Sequence, residues 1–232
     1  MVIAIDGPAA SGKSTTAKLV AEKLGYVYVD TGAMYRAMTL KVLKEKIDIN
    51  DAEQIGKLAE QTSIRLERDN SSLKVFLDGE DVTKEIRSRR ITNAVSAVSS
   101  IKKVREVMVR EQRRMGVEGG IVLEGRDIGT VVFPDADVKI YMVANAEERA
   151  RRRQQELTQQ GIRVKFDKLI HEIKERDRKD SSRNLSPLRK ADDAFLLDTS
   201  NLTVKQQVEF IITKTKEVFS KDKKKIIESH SR

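Results

Sequence analysis

The stretch Gly7-Pro8-Ala9-Ala10-Ser11-Gly12-Lys13-Ser14 constrains this chain more than any other. It fits the pattern G-x-x-x-x-G-K-[ST], and it stands in the setting that pattern requires. Before it, Val2-Ile3-Ala4-Ile5 forms a short apolar run that closes at Asp6. After it, Ala17, Val20, Ala21 and Leu24 recur at helical spacing, with Gly25 placed as a C-terminal cap. A strand, a glycine-rich turn and a helix in that order turn successive backbone N–H groups inward around a phosphate, and the helix dipole adds partial positive charge at the same spot. Gly7 through Thr15 are therefore the candidate triphosphate-binding residues. Lys13 is expected to bridge the β- and γ-phosphates, and the Ser14 hydroxyl to ligate Mg²⁺. The pattern points to a nucleotide without naming the chemistry. No Asp is followed three residues later by Gly, and Asn-Lys-x-Asp is absent, which argues against a GTPase. Motor and helicase ATPases usually need more chain than these 232 residues.

Apolar runs continue to alternate with helical patterns. Tyr26-Val27-Tyr28-Val29 reads as a second strand ending at Asp30, and Ile121-Val122-Leu123, Val138–Val143 and Phe195-Leu196-Leu197 supply three more. Runs this apolar, separated by helices, predict parallel strands covered on both faces, and the fold class is α/β. Between Ser63 and Ile86 the period changes. Ile64 and Leu66 alternate with charges, a turn is expected over 69–72, and Leu73, Val75 and Leu77 alternate again before a second turn at Asp78-Gly79. That pattern predicts a small antiparallel sheet inserted into the α/β chain. Helical spacing then runs through Ile91, Ala94, Val95 and Val98 and on through Ile101, Val104, Met108 and Met115 to a stop at Gly116. The last helix opens on a capping box, Thr203 with Gln206, and is expected to bury Val204, Val208, Ile211 and Ile212.

Composition removes several alternatives. There is no cysteine, which excludes disulfides, thiolate zinc sites and cysteine nucleophiles and fits a reducing compartment. No run approaches the roughly 18 apolar residues that a membrane span needs. A strand beginning at Val2 leaves no room for a signal peptide, so a cytoplasmic protein without membrane partners is expected. The net charge of +9 is uneven. Part of it lies in the last residues, where Lys221-Asp222-Lys223-Lys224-Lys225 reads as a solvated tail, and the rest centres on Arg149–Arg153 and Arg176–Arg183. Aromatic residues make up only 4% of the chain, Trp is absent, and no stacking aromatics accompany the arginines. Nucleic acid is therefore not the expected main partner.

Three further segments accompany the phosphate-binding loop: Asp30-Thr31-Gly32-Ala33-Met34-Tyr35-Arg36, Glu124-Gly125-Arg126-Asp127-Ile128-Gly129-Thr130, and Lys174-Glu175-Arg176-Asp177-Arg178-Lys179-Asp180-Ser181-Ser182-Arg183. Together the four closely resemble the bacterial cytidylate kinases, and the match runs from Val2 to about Phe219. The resemblance implies a three-layer P-loop kinase core with a five-stranded parallel sheet, formed by residues 1–30, 99–148 and 166–220. It further implies a monophosphate-binding insert at 31–98, a short helical lid at 149–165, and a basic, flexible tail at 221–232. The implied reaction is transfer of a phosphoryl group from ATP to CMP or dCMP by a monomer that uses Mg²⁺.

The residue roles follow from the same resemblance, each with its chemistry. Phosphoryl transfer needs two polyanions held in line and several fixed cations. Arg36, Arg126 and Arg183 are implied to clamp the acceptor phosphate, where guanidinium forks suit the oxygens, and with Lys13 they form the catalytic set. Ser96, Arg105 and Asp127 are implied to read the base: a carboxylate accepts from the cytosine amine, and a guanidinium donates to the ring acceptors. A packed small residue is the competing reading of Ser96, and a solvated helix face that of Arg105. Arg176 and Asp180 resemble a pair that contacts the ribose, and Thr31 and Tyr35 line the acceptor pocket. Asp177 reads as a helix-face partner for the neighbouring arginines. Asp30 or Glu124 would hold Mg²⁺ through water. Arg149 and Arg153, four residues apart on one helix face, are expected to reach ATP from the lid. Another small-molecule P-loop kinase is the nearest rival reading, and a nucleic-acid-binding ATPase the rival from a different class.

Overall fold

The computed structural model describes residues 1–69, 72–159 and 161–230. The apolar runs become strands and the helical patterns become helices, in the order β1 (Val2–Asp6), α1 (Lys13–Leu24), β2 (Val27–Asp30), α2 (Thr31–Lys44), α3 (Ala52–Gln61), β3 (Ile64–Asp69), β4 (Ser72–Leu77), β5 (Glu80–Asp81), α4 (Arg89–Val98), α5 (Lys102–Met115), β6 (Ile121–Gly125), β7 (Val138–Val143), α6 (Ala146–Gln159), α7 (Phe166–Ser182), β8 (Phe195–Asp198) and α8 (Val204–His230). The five expected core strands form one parallel sheet in the order β2-β6-β1-β7-β8, which puts β1 and the loop after it at the centre.

The chain divides into two units. The first comprises Met1–Tyr28, Gly119–Ser181 and Pro187–Arg232. Its core packs Ile3, Ile5, Val122, Val138, Ile140 and Met142 of the strands against Ala17, Val20 and Ala21 of α1 and Val208 and Ile211 of α8. Gly25 ends α1 at φ 68° and donates to the carbonyls of Ala21 and Glu22, a conformation that suits glycine. The capping box of α8 forms, with Thr203 N–H donating to Gln206 Oε1 at 2.9 Å and Gln206 N–H to Thr203 Oγ1 at 3.3 Å. Val204 does not join the core as expected: it stays 39% exposed, because the first turn of α8 faces solvent. The basic stretch from Lys221 continues the helical backbone of α8 as far as His230 rather than leaving it as a separate segment. The segment expected to form a lid, 149–165, covers most of α6 and the connection to α7, and these two helices share a small core of Ala150, Leu157, Leu169 and Ile173.

The second unit comprises Val29–Glu118 and Ser182–Ser186. Its axis is α2. One face packs Met34, Met38 and Val42 against α3, α4 and α5, and the other packs Ala33, Ala37 and Leu40 against Val75 and Leu77 of β4. The expected small sheet is present: β3 and β4 pair antiparallel from Ile64↔Leu77 to Asp69↔Ser72, and β5 follows. The turn expected over 69–72 has its centre, residues 70 and 71, outside the described residues. The second turn has Asp78 at φ 50° and Gly79 at φ 91°, the two positive values that a tight hairpin turn requires.

Two expectations change here. The single helix read from Ile91 to Met115 is two, α4 and α5, broken at residues 99–101. Ser99 and Ser100 turn their hydroxyls back onto the carbonyls of Ser96 and Ala97, and these local bonds compete with helix continuation. In addition, α5 belongs with the insert rather than with the core from residue 99 onward, because Val104, Val107 and Met108 pack on Ile55 and Ala59 of α3.

Candidate active site

In the first unit the site grows out of β1. Gly7 adopts φ 151°, and a Cβ at this position would stand 2.0 Å from the Met142 carbonyl oxygen, so the loop leaves the sheet where only glycine fits. Gly12, at φ 97°, is the N-cap of α1. Lys13 is 4% exposed and folds back over the loop, donating from Nζ to the Pro8 carbonyl at 2.7 Å and to Ser11 Oγ at 3.4 Å. Burial, reinforced by the positive charge of Arg126, pulls its ammonium down to about 7 against the opposing pull of Glu124 and Asp6. Ser14 and Thr15 are exposed at the start of α1.

The loop is braced from behind by residues that motif spacing did not single out. Thr199 Oγ1 contacts the Ser11 carbonyl at 2.8 Å, and Thr16 Oγ1 donates to Gln207 Oε1 at 2.7 Å. Arg152 holds Thr199 twice, through Oγ1 at 3.1 Å and the carbonyl at 2.7 Å. Arg149 forks onto Asp177, at 3.0 and 2.6 Å, and reaches the Ala9 carbonyl at 3.3 Å. Arg153 instead pairs with Glu156. The helical stripe on α6 thus continues from Arg149 through the residue three further on, not the residue four further on. Asp177, expected to partner the arginines next to it on its own helix, instead holds Arg149 of α6.

At the C-terminal end of β6, Glu124 is buried and accepts from the Tyr28 hydroxyl at 2.8 Å. Arg126 donates from Nε to Asp180 Oδ2 at 3.0 Å, whereas Arg176 stands 4.0 Å from the same oxygen. Asp180 and Asp127 are both about 5% exposed or less. A π-helical turn at Ile128–Val132 follows Asp127, and its first two N–H groups donate to Asp6. Burial pushes the Asp6 carboxyl up to about 6, against the lowering effect of those two bonds.

In the second unit, Asp30 caps α2 by accepting from Ala33 N–H at 2.9 Å and pairs with Arg36 Nη2 at 2.8 Å. Thr31 is buried in the first turn. Arg105 is 5% exposed, so it is not the solvated helix residue of the competing reading. Its guanidinium lies 5.7 Å from the centre of the Tyr35 ring, Nε donates to Ser186 Oγ at 3.2 Å, and Nη1 donates to the Ser99 carbonyl at 3.4 Å. Arg183 Nε donates to the Ser186 carbonyl at 2.8 Å, which ties both arginines to one residue held at φ 49°. Ser96 is half-buried on α4.

The comparison with known families meets this geometry directly, since a family model described as cytidylate kinase matches residues 3–217. The chain belongs to the cytidylate kinase family. Among curated relatives, the cytidylate kinase of Bacillus subtilis (strain 168) is 50% identical over 210 residues, 90% of this chain and 94% of that protein. The cytidylate kinase of Bacillus pumilus (strain SAFR-032) is 52% identical over 204 residues, 88% and 91% respectively. A solved structure, an uncharacterized protein from Eubacterium ventriosum ATCC 27560, aligns with a TM-score of 0.52 at 13% identity, covering 95% of this chain and 98% of that one, and supports the fold alone. Against this cytidylate kinase background, the residues that motif reading missed are Asp6, Arg152, Thr199, Gln207 and Ser186. Only Asp6 carried a local signal, an acid ending the strand that enters the loop. The others act through contacts made across long stretches of sequence. No helix among the described residues is long and apolar enough to cross a membrane.

Proposed function

We propose that this kinase transfers the γ-phosphoryl group of ATP to CMP, and to dCMP, giving ADP and the corresponding diphosphate by direct in-line displacement. The observation that carries the donor assignment is Lys13, a buried cation whose charge is disfavoured in the free protein and which the oxygens of a triphosphate would satisfy. The loop from Gly7 to Thr15 would cradle the phosphates, with Arg149 holding the lid to the loop at Ala9. A closed lid excludes water that would otherwise accept the phosphoryl group.

The acceptor phosphate is assigned to Arg36, Arg126 and Arg183. Arg36 supports this reading, since its Nε is buried with no hydrogen-bond partner among the described residues, and an unsatisfied buried donor costs about 1–3 kcal/mol until a ligand oxygen arrives. Arg176 and Asp180 are assigned to the ribose, and Thr31 and Tyr35 to the walls of the pocket. Mg²⁺ fits the residues available: Ser14 supplies a hydroxyl at the loop, and Glu124 or Asp30 a carboxylate reached through water. Such an ion keeps several waters and binds mainly through the nucleotide, so it needs no dedicated cage. Bound there, it would neutralise charge on the β- and γ-phosphates.

Ser96, Arg105 and Asp127 are assigned to the base. The Asp127 carboxylate accepts from the cytosine amine and repels the carbonyl that uracil carries there, so removing it loses both attraction and rejection. A charge-assisted hydrogen bond of roughly 1.5–3 kcal/mol makes the expected fall in CMP-to-UMP preference about one to two orders of magnitude in Asp127→Ala. Arg105→Met should act in the same direction. The measurement is kcat/KM for CMP, dCMP and UMP at saturating Mg·ATP. A preference unchanged while overall activity falls would show that these residues position something other than the base.

A further inference from the structure

The geometry points to Asp6 as a positioning residue for acceptor recognition, acting through the turn that carries Arg126 and Asp127. Asp6 ends β1, the central strand, and its neighbours across the sheet are Gly125 of β6 and Tyr141 of β7. Its carboxylate is 5% exposed and spends one oxygen on each of two consecutive amides: Oδ1 accepts from Ile128 N–H at 2.8 Å, and Oδ2 from Gly129 N–H at 2.7 Å. These are the first two N–H groups of the π-helical turn, donors that any helical start leaves without an internal partner. A carboxylate from another strand therefore supplies the cap that Asp127, the residue at the cap position, does not provide with its own side chain.

The turn is closed from its other side as well. A Cβ on Gly129 would stand 3.2 Å from both Cγ and Cδ of Lys139 and 3.5 Å from Asp6 Oδ2, so this amide sits between the Lys139 stem and the Asp6 carboxylate. The Lys139 head is fixed in turn by Asp193 at 2.7 Å. Arg126 and Asp127 immediately precede the clamped amides. Two charge-assisted bonds from the central strand of the sheet thus set where those two side chains start, the supporting shell that a precise site requires. This role rests on the assignment of Arg126 and Asp127 to the acceptor nucleotide.

The test is the ratio of kcat/KM for CMP to that for UMP in Asp6→Asn. Asparagine keeps one acceptor but turns an N–H₂ donor toward the second amide, so the clamp is half lost with little change in volume. ATP is common to both reactions, so any disturbance of the neighbouring phosphate loop cancels in the ratio, as does a loss of folded protein. The ratio is expected to fall about three- to tenfold, the loss of one such bond spread over a displaced turn. If Asp6→Asn does not fold, Gly129→Ala reaches the same turn from the Lys139 side and should lower the ratio in the same direction. A ratio unchanged in the folded variant, while Asp127→Ala does lower it, overturns the positioning role and leaves the base assignment standing. A ratio unmoved by Asp127→Ala removes that assignment, and this inference falls with it.

Discussion

A lysine whose ammonium is pulled down to about 7 in the free protein should make nucleotide binding depend on pH in a way the sequence motif alone does not predict. Burial disfavours the charged form, and Arg126 adds to the penalty. A bound triphosphate surrounds the same nitrogen with anionic oxygens and restores its affinity for the proton. Because the free-state value lies below the bound-state value, binding between the two takes up a proton, and affinity falls as pH rises. At pH 8 most free molecules lack the Lys13 proton, so binding Mg·ATP should take up a fraction of a proton that approaches one. Between pH 8 and 9 the association constant should fall, approaching the limit of about tenfold per pH unit set by one linked proton. Two ionisable neighbours stay out of this window: Asp6, at about 6, has finished titrating, and Tyr141, raised above its usual 10.0 chiefly by burial, has not begun. Titration calorimetry of Mg·ATP without CMP, in two buffers of different ionisation enthalpy, measures the uptake. Lys13→Met should bind more weakly at pH 7 and show neither uptake nor slope. A wild-type affinity flat from pH 8 to 9, or a slope that survives in Lys13→Met, refutes the reasoning.

Three substitutions test the scaffold. Gly7→Ala places a methyl 2.0 Å from the Met142 carbonyl at a φ of 151°, and should cost about 3 kcal/mol or more in urea unfolding, while a near-wild-type midpoint would mean the loop can leave the sheet another way. Arg149→Ala breaks a buried fork onto Asp177 and should cost about 2 kcal/mol, whereas Arg153→Ala, in an exposed pair with Glu156, should stay within about 0.5 kcal/mol; equal losses in thermal unfolding would overturn the division of roles between them.

What could be read in the chain and what could not divides along the range of the forces involved. The five core strands, the hairpin turn at Asp78-Gly79 and the caps at Gly25 and Thr203 follow from local period and backbone preference, and each lies where those place it. The break at residues 99–101 was missed because apolar spacing runs straight through it, while the hydroxyls of Ser99 and Ser100 decide it. Val204 kept the helical phase yet faces solvent, since phase alone does not say which turn reaches the core.

The site shows the same limit more sharply in its acids. The sequence reads Asp30 or Glu124 as a metal ligand, Asp180 as a ribose contact and Asp177 as a helix-face partner, with Asp30 in one motif and the other two acids together in another. In the folded chain all three also serve as partners of arginines: Asp30 holds Arg36, Asp180 holds Arg126 and Asp177 holds Arg149. Asp30 and Asp180 are counter-ions of arginines assigned to the acceptor phosphate, and Asp177 is the counter-ion of the arginine that reaches the phosphate loop at Ala9. Cations aimed at a polyanion repel one another before it arrives, and each would cost several kcal/mol if desolvated alone. A carboxylate that keeps each guanidinium in place meets that cost in the free protein and leaves the remaining N–H groups for the incoming oxygens. No spacing rule reveals such pairings: Asp180 and Arg126 are 54 residues apart, and Asp177 and Arg149 are 28 apart. The arginines could be read from their motifs, but what holds them could be read only from the fold.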